Sequence, residues 1–88
     1  MAEQERPIAW SALSKGTTVT TADGEDVGKL SSVIADEQKD IFSGITFRHG
    51  LLNREHFVPA DQVDTMTTER VKLRLSSQQA ENLEPYEG

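Results

Sequence analysis

Apolar and polar residues alternate in several short runs of this chain, and turn-forming residues separate the runs. In the clearest run, residues 71–75, Val71, Leu73 and Leu75 fall on one face and Lys72 and Arg74 on the other. Alternation with a period of two predicts a half-buried β-strand. We identify six such runs in the 88 residues. Short strands at this spacing are typical of an all-β barrel or sandwich.

The first two runs form a predicted hairpin. Residues 17–21 are rich in β-branched side chains, and Asp23-Gly24 is a strong turn signal because glycine accepts a positive φ. Gly28 lies inside the second run, which extends from about residue 26 to 35, and an internal glycine often marks a bulge. One extra residue there would place Leu30, Ser32 and Ile34 on the face where Val27 begins.

The third and fourth runs form a second predicted hairpin. Ile41, Ile45 and Phe47 alternate along the third run and are expected to share one face. Gly44 suggests a bend in this strand. Pro59 lacks the N–H that a strand ladder needs, so the fourth strand should end there or lie at a sheet edge.

Short helical pieces are predicted at both ends. Residues 9–13 can form one helical turn. Ser76 and Gln79 fit a capping box, in which each side chain bonds to a backbone N–H at the start of a helix. We therefore expect an N-terminal tail with a short helical turn over residues 1–12, one domain over 13–83 and a C-terminal tail over 84–88. The predicted core consists of Ile45, Phe47, Val71, Leu73 and Leu75.

Composition and charge exclude several classes of protein. The chain has no cysteine, which rules out disulfides, thiolate metal sites and cysteine nucleophiles. No apolar run is long enough to span a membrane, and the N-terminus lacks the pattern of a signal peptide, so a cytoplasmic location is expected. Fifteen acidic and nine basic residues give a formal net charge of −6. This charge disfavours nucleic acid as a general partner.

Candidate chemistry concentrates between the third and fourth strands. His49 and His56 could share a metal ion if the hairpin loop placed them opposite each other, with Glu55 or Asp61 nearby. The alternative is that both are partly exposed strand residues, and Glu55 should point to the face opposite His56. No phosphate-binding loop or nucleophile–base arrangement occurs in the sequence. We therefore predict no metal, no cofactor and no catalytic residue.

The same hairpin carries the candidate interaction residues. Its predicted tip holds Leu51 and Leu52, which either fold back over the end of the barrel or dock a partner. Trp10 presents the same choice, since it can close a barrel end or anchor an interface. The full candidate set is Trp10, Arg48, His49, Leu51, Leu52, Arg54, His56 and Phe57.

Four segments of the chain resemble a known family. They are LSKGTTVTTADGEDVGKLSSVIAD, GITFRHGLL, HFVPADQV and VKLRLSSQQAENL, which together span about residues 13–83. They resemble the PRC-barrel domain, including stand-alone bacterial proteins of this type and the barrels of the photosynthetic reaction centre H subunit and the ribosome maturation factor. The resemblance implies an all-β fold, a small six-stranded PRC-type β-barrel with a short C-terminal helix. It also implies docking to another macromolecule.

The functional hypothesis follows from these exclusions and from the resemblance. We expect a non-enzymatic protein-interaction module, an adaptor that docks to a protein partner and forms a homodimer. The alternative is an RNA- or ribosome-associated adaptor that uses Arg48 and Arg54 as a local basic patch.

Overall fold

The computed structural model describes residues 8–49 and 54–83, and within these ranges six strands form one sheet. The strands are β1 (Thr18–Thr20), β2 (Asp26–Asp36), β3 (Ile41–His49), β4 (Arg54–Pro59), β5 (Val63–Met66) and β6 (Arg70–Leu73). Short 3-10 turns lie at Trp10–Ala12 and Ala60–Gln62, and helix α1 (Ser77–Glu81) follows β6. The order β4-β3-β2-β1-β6-β5 is the predicted all-β architecture. Strand pairing among the described residues does not close the sheet between β4 and β5.

The core lies inside the curled sheet and confirms most of the predicted set. Ile45, Phe47, Val71 and Leu73 are fully buried or nearly so, while Leu75 is partly buried and packs against them. Leu75 lies beyond the end of β6, so strand alternation no longer directs it inward. The core also contains Val19, Val27, Leu30, Val58, Val63 and Ala80.

Strand β2 has a second irregularity in addition to the bulge predicted near Gly28. The pairing with β1 skips Val27, and the pairing with β3 skips Ser31. Val27, Leu30 and Val33 therefore face the core at a spacing of three. The expected inward positions of Ser32 and Ile34 are wrong, because the irregularity at Ser31 reverses the alternation. The Ser32 hydroxyl instead lies 2.6 Å from the Thr46 hydroxyl.

Strand β3 is irregular at its start. Ile34 pairs with Gly44 and the next residue of β2 pairs with Phe42, so Ser43 is the extra residue. Phe42 consequently packs against the core, and Ile41 is 51% exposed. The prediction that Ile41 shares a face with Ile45 is therefore wrong, whereas the bend expected at Gly44 is present.

Helix α1 is fastened to the β1–β2 turn. The predicted capping box is present, with Ser76 and Gln79 bonding to each other's backbone N–H. The carboxylate of Asp23 accepts hydrogen bonds from the Ser77 N–H at 3.1 Å and the Ser77 hydroxyl at 3.0 Å, and also from the Thr21 hydroxyl. The bond from Thr21, followed by those from Ser77, holds the pKa of Asp23 below its ordinary value.

Acidification should loosen this connection. Because the pKa of Asp23 is lowered in the folded chain, ionised Asp23 stabilises the fold above its ordinary pKa of 3.8. That stability is lost as the pH falls through the lowered pKa of Asp23 in the folded protein. Thermal unfolding followed from neutral pH down to about pH 2 should show this pH-dependent part of the stability in the parent protein. In Asp23→Asn, which cannot ionise, this part should disappear, and an identical pH profile for both proteins would contradict the assignment.

Candidate interaction surface

The β3–β4 hairpin has a register that separates the two histidines. His49 pairs with Arg54, and His56 pairs with Phe47, so the expectation that His49 and His56 lie directly opposite each other is wrong. They are diagonal neighbours instead. Because the register differs from the expected one by two residues, all four side chains still project from the same face of the hairpin. Phe47 belongs to the core, so this face is the inner one.

The two imidazoles occupy different environments on this inner face. His49 is partly buried, and its Nδ1 donates a hydrogen bond to the backbone carbonyl of Val27 in β2. His56 is only 9% exposed, and its Nδ1 is buried without a hydrogen-bond partner. The ring centroids of His49 and His56 are 6.1 Å apart, and that of Phe47 lies 5.7 Å from that of His56. The alternative that both histidines are partly exposed strand residues therefore holds for His49 and is wrong for His56.

The outer face of the same hairpin carries an ion pair. Arg48 is opposite Glu55, and their side chains are joined by a contact of 3.3 Å. Ser31 of β2 donates a second hydrogen bond of 3.0 Å to the same Glu55 oxygen. Glu55 points away from the face of His56, as predicted. Arg48 and Arg54 therefore project from opposite faces, and the structure does not bring them into one basic patch.

Phe57 covers the backbone of its own sheet. It is partly buried on the outer face, opposite Thr46. A Cβ atom at Gly44 would lie 2.9 Å from two ring carbons of Phe57, so the aromatic ring rests directly on this glycine. Part of the apolar surface of Phe57 is thus used within the chain.

Trp10 is likewise engaged within the chain. Its ring stacks on Phe42 of β3, with centroids 6.2 Å apart and planes 9° apart. Trp10 remains partly exposed, so it covers the start of β3 and still presents apolar surface. The sequence did not single out Ile41, the neighbour of Phe42, as an interaction residue, although it is a large apolar side chain with more than half of its surface exposed. The only sequence signal for its exposure was Gly44, which marks the bend that turns Ile41 outward.

Leu51 and Leu52 lie outside the residues that the structure describes. The choice between folding back and docking therefore stays a prediction for these two leucines. The described ranges end at His49 and resume at Arg54.

Within 8–49 and 54–83, no group of three or more His, Asp or Glu side chains is placed to hold a metal ion. A surface cleft of about 250 Å³ is lined by three threonines, a serine and two aliphatic residues: Thr17, Thr67, Thr68, Ser14, Ile8 and Ala12. None of these side chains can act as a general acid or base near neutral pH.

Over the described ranges, no helix has the length and apolar character needed to cross a membrane.

Comparison with known proteins identifies a family. The family model of the PRC-barrel domain matches residues 14–75, which is more than half of the chain. No protein with a curated description gives a match.

Proposed function

Because the chain belongs to the PRC-barrel family, we propose that it is a non-enzymatic docking module that forms a homodimer through apolar contacts. The observation that carries this proposal is the exposure of Ile41, a large apolar side chain at the β2–β3 hairpin that is 51% exposed. The described residues that line the cleft carry hydroxyl or aliphatic side chains, which supports a role in binding over one in catalysis.

The small size of the domain is the second support for self-association. A core of this size gives limited stability, and burial of further apolar surface in a dimer would add to it. Trp10 and Ile41 both retain exposed apolar surface, and large exposed apolar side chains often belong to an interface. Leu51 and Leu52 are the further candidates that the sequence provides.

Sedimentation at micromolar concentrations tests the dimer. We expect a species with twice the chain mass of 9.7 kDa, and Trp10 fluorescence that changes on dilution. Because apolar contacts are not weakened by ionic screening, the dimer should persist as salt is raised. A single species with the mass of one chain, with fluorescence that does not change on dilution, would contradict the homodimer.

A matched pair of variants locates the contact. Ile41→Glu places a charge in the proposed interface and should shift the equilibrium toward the monomer. Gln78→Glu adds the same charge at an exposed position of α1, outside the cleft, and should leave the dimer intact. Equal effects of the two substitutions would mean that Ile41 is not part of the interface.

The alternative, an RNA- or ribosome-associated adaptor, has less support. Glu55 neutralises Arg48, Arg54 projects from the other face, and the chain carries a net charge of −6. Contacts to phosphate weaken steeply as salt increases. Binding to RNA that disappears at high salt, in a protein that sediments as a monomer, would favour the adaptor over the docking dimer.

A further inference from the structure

The core-facing side of the β3–β4 hairpin carries a buried histidine, His56, that the docking role does not use. His56 is more than nine-tenths buried, and among the described residues its Nδ1 is the buried side-chain nitrogen or oxygen without a hydrogen-bond partner. Histidine is the side chain whose charge ordinarily changes between about pH 5 and 8. A histidine in this position links the packing of the hairpin to pH.

The two protonation states of His56 fit this interior differently. A neutral imidazole can carry its proton on Nε2 and leave Nδ1 as a bare acceptor. A protonated imidazole must carry a hydrogen on both nitrogens, so Nδ1 becomes a buried donor without an acceptor. A buried, charged donor of this kind is much less favourable than a neutral one, because it loses its hydration and gains no hydrogen bond.

Among the described residues, the groups around His56 supply no compensating negative charge. On the same face, β3 contributes His49, whose ring is 6.1 Å away, and β4 contributes Arg54. Both are neutral or cationic. Glu55, the adjacent acid, points to the opposite face and pairs with Arg48. No aspartate or glutamate among the described residues is buried, and the core side chains that the other elements contribute are apolar, among them Val19, Val27, Leu30, Val63, Val71 and Leu73.

We propose that protonation of His56 opens the β3–β4 hairpin, so that this domain carries a pH-sensitive switch. When His56 takes up a proton, the ring can regain hydration only by leaving the space beside Phe47. Opening there separates the pairs Phe47–His56 and His49–Arg54, the last described pairs before the hairpin loop. The same movement frees His49 from the carbonyl of Val27. The switch is independent of the proposed homodimer, since it requires only the packing within one chain.

Amide hydrogen exchange measured by NMR tests the switch. Protection factors, corrected for intrinsic exchange, are compared between about pH 7.5 and 5.5. We expect protection in β3 and β4 to fall with pH, by up to about tenfold per pH unit, which is the limit for one proton taken up on opening. Protection in β5 and β6 serves as the internal reference and should change less.

Two variants identify the responsible side chain. His56→Phe keeps a planar ring beside Phe47 but cannot take up a proton, so protection in β3 and β4 should become independent of pH. His49→Gln removes the other imidazole and should retain the pH dependence. A parent protein whose β3 and β4 protection does not change with pH, or a His56→Phe protein with the same fall as the parent, overturns the proposal. If His56→Phe does not fold, the titration of the His56 ring signals in the parent decides. In that case the proposal is contradicted if the His56 ring becomes protonated while it stays beside Phe47 and amide protection in β3 and β4 does not change.

Discussion

An alanine at position 28 is expected to destabilise the fold by about 3 kcal/mol or more, the upper end of the range for overpacking. A Cβ atom built on Gly28 would lie 2.0 Å from the backbone carbonyl oxygen of Arg48 and 2.9 Å from its carbon. Neither atom can rotate aside as the end of a side chain can. The methyl group would therefore force β2 and β3 apart at the bend that aligns the carbonyl of Val27 with His49. Urea unfolding of the parent and of Gly28→Ala measures the loss.

The control for Gly28→Ala is the same substitution in the β1–β2 turn. Gly24 also has a positive φ, of 86°, but a Cβ built on it would meet nothing within 4 Å. Gly24→Ala should therefore reduce stability only through the strain of alanine in a left-handed backbone conformation, about 1–2 kcal/mol. Gly28 has a φ of 156°, so Gly28→Ala carries a backbone term of its own, and the steric contact with Arg48 adds to it. Equal losses in both would show that β2 and β3 can separate at this point without penalty.

The regular parts of the fold could be predicted from local sequence because local chemistry determines them. The turn at Asp23-Gly24 and the capping box of Ser76 depend on residues close in sequence, and the alternation around Leu73 reflects one strand with one buried face. Ser31 and Ser43 are the extra residues of two bulges, and serine carries no comparable local signal. Their positions depend on how β2 and β3 fit each other.

The candidate site was less predictable for a related reason. The register of β3 and β4 depends on how many residues the loop between them contains, and the sequence pattern left that number open. A shift of two residues preserves the face of each side chain, so Arg48 and Glu55 lie on one face and His49 and His56 on the other. The degree to which His56 is buried depends on the register that pairs it with Phe47, and the sequence pattern left this register open.

Replacement of Leu73 with alanine is expected to reduce the free energy of unfolding by about 2–5 kcal/mol. Leu73 is fully buried and is paired with Val63 of β5. Truncation removes apolar contacts and leaves a cavity that the surrounding strands can fill only in part. Domains of this size have a total stability of about 4–13 kcal/mol, so the substitution removes a large share of it.

Lys72→Ala provides the matched control for Leu73→Ala. Lys72 lies beside Leu73 in β6 but is exposed, so its truncation should change stability by no more than about 0.5 kcal/mol. Urea unfolding of both variants, followed by circular dichroism, gives the comparison. A loss below about 0.5 kcal/mol for Leu73→Ala would mean that β6 presents its other face to the core. In that case the assignment of Val71 and Leu73 to the inside of the curled sheet would have to be reversed, since a strand that slips by one residue exchanges all of its buried and exposed side chains.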